Sequence, residues 1–471
     1  MDFTILLKEV SDLLLTNLQD FCEKEDLNEL SPELSFKMIE QTRATVSQIG
    51  CKTLKYFFES FDTCQESIQE KGELYRFKYE GEREFLTSVG KVRIKRSVYQ
   101  RDKGGKSIVP LDRYWNMENQ YMSIEVQEAL LYSCAHNTPE ETSRLLQKTS
   151  ILDIHPTTIK KLINETGGFV EEHKDSIIEQ VHQKEELGQG ADVMVCSLDG
   201  VNVLLNEKGK KKGRPKERPD KCHEDSEKSS YKNAMCGTVS YYNIETDKKS
   251  GKKSACRVMT KYVSRMPEDR FPEFKKEFEK EITHCSTTNP IKKILLTDGH
   301  KSLQGYIKDN PKFAGFEWMF DFFHAAEHLS KLAGIIFGKS SAQGQKWYTQ
   351  KRDELKNSKN GAVKVIRSAE YYITALKTKK AKEDAIKELN YFKKHKKMMN
   401  YKLHIDNGWP IGSGVVEAAC KSVVKQRMCR SGQRWTRQGG QKILNLRTYV
   451  KSQRWDLFWN SYKEMQNKNA A

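Results

Sequence analysis

Two strand-length apolar runs, VMVCSL at 193–198 and KKILLT at 292–297, each lead directly into Asp-Gly, at Asp199-Gly200 and Asp298-Gly299. Short apolar runs bounded by turn residues read as buried strands, so a mixed α/β core is expected from Ala191 onward. VNVLL should continue the first strand across a turn at Asp199-Gly200, because Asp and Gly are favoured where a strand stops. NAMCGTVSYY and SACRVMTKYV supply further strands, and Pro267 to Glu281 an amphipathic helix.

The run IGSGVVEAACKSVVKQRMCRSGQRW, 411–435, adds a helix of a particular kind. Gly412 and Gly414 flank Ser413, so a tight turn permitted by glycine is expected to feed it. Val416, Ala419, Cys420, Val423 and Val424 recur at helical spacing and mark its buried stripe. Glu417 falls in the first turn, with Lys421 and Lys425 at the next helical spacings. One reading is a cap charge favoured by the helix dipole, with a Glu–Lys pair behind it. The other is a metal-bearing carboxylate, since Arg427, Arg430, Arg434 and Arg437, interleaved with Trp435, suit a polyanion.

The 471-residue chain has room for several domains, and 81 Lys+Arg against 64 Asp+Glu gives a net charge of +17. The simplest partner for such an excess is nucleic acid. Eleven cysteines without a C-x-x-C pair read as reduced thiols of a cytosolic protein. The N-terminal run MDFTILLKEVSDLLL is broken by Lys8 and Glu9, so an amphipathic helix is expected there, without signal peptide or membrane span.

The fold class expected is multidomain α+β. A helical N-terminal region (1–72) places Phe3, Leu6, Leu7, Val10, Leu13, Leu14 and Leu18 on one face, and Ser31-Pro32 opens the next helix. A small antiparallel β module (73–112) follows, with alternating residues punctuated by Gly81 and Gly90. The helical region 113–188 has a helix-turn-helix layout: Thr138 caps one helix, and Pro156 opens a second that carries Thr157, Thr158, Lys160 and Lys161. DNA reading and a plain helical hairpin both fit it. The mixed core begins at 189–330, an all-helical stretch occupies 331–402, and 403–471 completes the core. Between the first strands lies NEKGKKKGRPKERPDK, whose Lys210, Lys211, Lys212, Arg214, Lys216 and Arg218 surround a Gly-Arg-Pro. It fits an AT-hook that lays Arg into a minor groove, or a solvated loop.

Phosphoryl transfer on DNA calls for two divalent ions roughly 3.5–4 Å apart, held by carboxylates at a site such as the edge of a sheet. Two strand-end aspartates and a helix-borne glutamate meet that need.

SLDG, KKGRPKERP, LTDGH, DFFHAAEHL, GWPIGSGVVEAACKSVVKQRM, SGQRW and SQRWDLFW, in this order, resemble bacterial insertion-sequence transposases of the DDE type, most of all the ISKra-type group. The resemblance implies an RNase H-like core interrupted by a helical insertion before its last acid. It implies Asp199, Asp298 and Glu417 as catalytic acids holding two Mg²⁺ (or Mn²⁺) ions. It further implies DNA as partner, a homodimer or higher assembly on DNA, and a place in the bacterial cytoplasm at the nucleoid. Lys421, Lys425, Arg427, Arg430, Arg434 and Trp435 would hold DNA near the site, and His324 would touch the DNA end or the active site. Relatives commonly carry a cysteine-paired zinc ribbon before a Pro-Leu-Asp; here Pro110-Leu111-Asp112 has no cysteine pair ahead of it, so a module without zinc is expected. Two other functions are compatible with the residues. One is a transposase-derived DNA-binding protein without catalysis. The other is a zinc hydrolase using His324-x-x-Glu327-His328, whose histidines share a helix face.

Overall fold

A computed structural model describes residues 3–27, 31–101, 104–115, 117–118, 120–149, 152–187, 191–206, 230–288, 290–299 and 301–470. The chain divides into two compact units, Met1–Ile177 with Phe458–Ala471, and Ile178–Leu457.

The first unit opens with helices α1 (Phe3–Lys24) and α2 (Pro32–Ser60). Ser31 caps α2 by accepting the Leu34 N–H at 3.1 Å, with Pro32 at the first helical position. Of the α1 residues expected on one buried face, only Leu6 is fully buried, while Phe3, Leu7, Leu14 and Leu18 are exposed. Strands β1 (Ser67–Glu70), β2 (Glu73–Thr87), β3 (Gly90–Arg101) and β4 (Ser107–Ile108) form an antiparallel sheet in sequence order. Its core gathers Phe85, Val92, Ile94 and Leu111. Beside it the buried Asp112 pairs with Arg83 at 3.0 Å and Arg96 at 3.2 Å. Helices α3 (Pro110–Tyr114), α4 (Ile124–His136), α5 (Pro139–Thr149) and α6 (Pro156–Glu172) follow. Thr138 and Glu141 form a reciprocal capping box on α5, with bonds of 2.7 and 3.1 Å. The Ser143 hydroxyl donates to the Ile154 carbonyl at 2.7 Å and ties the turn before α6. On α6, Thr157, Lys160, Lys161 and Asn164 are exposed.

After α7 (Lys174–Lys184), the second unit builds a five-stranded sheet from β5 (Val193–Leu204), β6 (Tyr231–Thr246), β7 (Lys253–Arg265), β8 (Lys292–Thr297) and β9 (Glu317–Phe320). The strand order is β7-β6-β5-β8-β9; β5, β6 and β7 are antiparallel neighbours, while β8 runs parallel to both β5 and β9. Alternate residues face opposite layers. Met194, Cys196, Leu198 and Leu295 pack towards α8 (Pro272–Cys285) and α9 (Lys301–Lys308). Val193, Val195, Ile294, Leu296 and Met319 pack with α10 (Phe322–Phe337), α11 (Ala342–Asn357), α12 (Gly361–Thr374) and α13 (Lys379–His395). The chain closes through α14 (Tyr401–Asp406), α15 (Gly414–Ala419), a π-helical turn (Cys420–Lys425), α16 (Gln426–Met428), α17 (Arg437–Lys451) and α18 (Trp455–Ala470). Buried Arg454, just after α17, donates to Glu281 at 2.7 Å and to Glu185 at 2.8 Å within the second unit. No helix among the described residues is long and apolar enough to cross a membrane.

Two sequence expectations need correction. No turn interrupts β5 at Asp199-Gly200, because β6 pairs with it from Val193 to Leu204. Gly200 is needed for close approach instead: a Cβ there would lie 2.2 Å from the Asn233 side chain. Helix α8 begins at Pro272, five residues later than expected, because Arg270 and Phe271 adopt left-handed φ values of 56° and 55°.

Candidate active site

The parallel register of β5 and β8 runs from Val193 opposite Lys292 to Ser197 opposite Leu296. Asp199 lies two residues beyond Ser197 and Asp298 two beyond Leu296, where β8 has just ended. Both share side-chain parity with Val195 and Leu296, so both face the layer of α10–α13. Burial raises the Asp199 carboxyl above its usual range, and the charge of Asp298 raises it further. Three groups work against these: the Gly200 N–H donating to Oδ1 at 2.6 Å, the Cys420 thiol 3.6 Å from Oδ2, and the charge of Lys425. Unlike Asp199-Gly200, Asp298-Gly299 does end its strand, with Gly299 at φ 79°.

Glu417 is carried on α15, which packs against β5 and β6. Val416, Ala419, Cys420, Val423 and Val424 are all buried, as the spacing predicts, and Cys420 makes the contact with Asp199. Glu417 is exposed and accepts the Ser413 hydroxyl at 3.3 Å. Neither Gly412 nor Gly414 has the left-handed φ expected of the turn. Gly412 is required because a Cβ would lie 2.6 Å from the Phe323 ring. Among the described residues, no three His, Cys, Asp or Glu side chains are gathered as a metal-ligating group. Two acids therefore lie two residues past the β5–β8 pairing, while the third is carried on the helix packed against the sheet.

The π turn after α15 has a visible cause. Arg447, 2% exposed, donates Nε to the Val423 carbonyl at 2.6 Å and Nη2 to the Ser422 carbonyl. A side chain bonded into the helical ladder in this way accommodates the extra residue of a π turn. Burial lowers the Arg447 pKa to about 10, with Arg427 and Arg430 adding positive charge nearby.

Of the expected DNA contacts, Lys421, Lys425 and Arg434 are exposed and Arg430 is half-buried. Arg427 is only 2% exposed, with its guanidinium 5.1 Å from the centre of the Trp435 ring, so it stiffens the loop from inside. Trp435 in turn is fastened to the end of β5: its N–H donates to Leu204 at 3.1 Å, and its carbonyl accepts from Asn206 at 2.8 Å. Lys210, Lys211, Lys212, Arg214, Lys216 and Arg218 lie outside the described residues; Leu205 N–H donates to Ser230 at 2.9 Å across the base of their connection.

His324 is partly exposed, with Nδ1 3.7 Å from Glu327. Its ring stands nearly perpendicular to that of His328, which stacks on Tyr391 at 3.9 Å and bonds Glu388 through Nδ1 at 2.6 Å. Asp321, at the start of α10, is only 1% exposed and accepts the His324 N–H at 2.7 Å. Its signal in the sequence is that WMFD, like LLTD, ends a strand in aspartate.

No family model and no curated protein matches the chain. Among solved structures it is similar to the Drosophila P element transposase strand transfer complex, at 13% identity over 76% of this chain and 83% of that chain. The TM-score is 0.26, a likeness too slight to bear on fold or function.

Proposed function

We propose that this chain is a DDE-type DNA transposase of the ISKra-type group that binds the ends of its element, cuts them, and joins the 3′-hydroxyl to target DNA. The observation that supports this reading is that Asp199 and Asp298 each follow the paired stretch of β5 and β8 by two residues, while α15, which carries Glu417, packs against β5. Sheet order β7-β6-β5-β8-β9, with a parallel β5-β8-β9 half, supports an RNase H-like core. The helices α10–α13, between β9 and α15, support a helical insertion before the last acid, although α10 already begins at Phe322, ahead of the expected bound at 331.

Asp199, Asp298 and Glu417 would hold two Mg²⁺ or Mn²⁺ ions, since an all-carboxylate set suits hard cations. Bound there, such ions activate the attacking oxygen and stabilise the leaving oxygen of a phosphodiester. A divalent cation held by both carboxylates would offset the repulsion that Asp298 exerts on Asp199. Lys421, Lys425, Arg430 and Arg434 would hold the DNA backbone independently of sequence, as would the Lys210–Arg218 loop. The exposed face of α6 would read the element ends, and no zinc is required in the β module, where Asp112 pairs with Arg83 and Arg96. The protein would work as a homodimer or larger assembly at the bacterial nucleoid.

The test is to incubate the protein with labelled ends of its own element and Mg²⁺. Cutting and joining that Asp298→Asn abolishes supports the transposase. Tight binding without cutting would leave the derived DNA-binding protein in its place.

A further inference from the structure

We infer that Asp321 is a positioning residue that fixes the helix of Glu417 against the strand next to Asp298. This rests on the reading of Glu417 as a metal-binding acid. Thr297 pairs with Phe320, and the Asp321 N–H donates to the Thr297 carbonyl at 2.8 Å, so Asp321 follows the last β8–β9 pair directly, as Asp298 does. Each of its carboxylate oxygens accepts a backbone N–H: Oδ1 takes that of His324 at 2.7 Å, capping α10, and Oδ2 takes that of Ser413. In the opposite direction the Phe322 N–H donates to the Ile411 carbonyl at 2.9 Å. Residues 411–413 are thus clipped along 321–322, with Gly412 admitting the Phe323 ring between them.

From Ser413 the constraint passes directly to the acid. Its carbonyl accepts the N–H of Val416 at 2.9 Å and of Glu417 at 3.2 Å, and its hydroxyl donates to Glu417 Oε1 at 3.3 Å. A buried carboxylate with two N–H donors makes strong, directional bonds, because the surroundings screen them weakly. The wall behind it is apolar: Tyr401 is fully buried and stacks edge-on to Phe322 at 5.1 Å. Asp321 therefore ties three things to one point: the end of β9, the start of α10 and the start of α15.

The experiment compares full-length wild type, Asp321→Asn, Glu417→Gln and the double variant in two measurements. Hydrogen exchange of the metal-free protein reads the clip: Asp321→Asn should speed exchange at Ser413–Glu417 while the melting of the rest is kept. Exchange there equal to wild type would overturn the proposal. Mn²⁺ binding followed by electron paramagnetic resonance reads the consequence: Asp321→Asn should weaken affinity about tenfold, as loss of a group orienting a ligand does. The double variant should bind no more weakly than Glu417→Gln alone, because Asp321 acts only through Glu417. Additive losses would make Asp321 a ligand in its own right and overturn the positioning role. If wild type and Glu417→Gln bind Mn²⁺ equally, the metal reading of Glu417 fails, and the clip stands or falls on the exchange result. Should Asp321→Asn not fold, Gly412→Ala loosens the same clip through the Phe323 ring and is expected to give the same pattern.

Discussion

Asp298 and Asp199 each follow the last β5–β8 pair by two residues, and the negative charge of Asp298 adds to burial in holding the Asp199 carboxyl above the usual carboxylate range. A carboxyl whose folded pKa is raised binds its proton more tightly in the folded state, so stability falls as pH rises through the interval between the unfolded and folded values. At neutral pH the ionised Asp199 therefore destabilises the metal-free protein. Asp199→Asn should raise its melting temperature. A carboxyl NMR titration should show Asp199 titrating lower in Asp298→Asn than in wild type; an unchanged titration would mean that the two acids are not coupled.

The Arg454 cluster has the opposite sign. Burial pushes Glu281 and Glu185 upward, but Arg454, His182, His284 and Lys261 outweigh it and hold both far below the ordinary value of 4.5. Their contribution to stability is complete above that unfolded value and is lost as pH falls through it towards the depressed folded values. Arg454→Met should destabilise this unit by about 3–5 kcal/mol at pH 7, because two buried carboxylates lose their main cation. Denaturant unfolding should also show the difference from wild type shrinking below about pH 4. A loss independent of pH would point to packing instead.

The α1–α2 pair leaves Phe3, Ile5, Leu7, Leu14, Leu15, Leu18, Phe36, Met38, Ile39 and Val46 between 41% and 69% exposed. At roughly 100 Å² each, their summed area of about 1,000 Å² is on the scale of the ~800 Å² per partner that a stable interface buries. With self-association proposed for this protein, a second copy is the expected occupant. Leu7→Glu with Leu14→Glu should lower the mass found by light scattering to that of one chain and leave the helical circular dichroism unchanged. An unaltered mass would contradict this assignment.

Much of this architecture was legible because periodicity and caps are local. The buried stripe from Val416 to Val424, the Ser31-Pro32 start of α2 and the Thr138 cap all follow from neighbours in sequence. What escaped depends on distant partners. Gly200 looks like a turn residue until Asn233 is placed across from it. Arg427 reads as a DNA contact until Trp435 covers it, and nothing near Asp321 in sequence announces Ser413, which arrives from 92 residues away. The π turn likewise requires Arg447 from a later helix.

The account rests on Asp199, Asp298 and Glu417 forming one Mg²⁺-dependent centre. The direct measurement is strand cleavage of element-end DNA by Asp199→Asn, Asp298→Asn and Glu417→Gln, with DNA affinity and melting temperature followed in parallel. Each variant should lose about a thousandfold in rate, equivalent to roughly 4 kcal/mol of transition-state stabilisation, while still folding and binding DNA. Cleavage by any one of them at the wild-type rate would contradict the account.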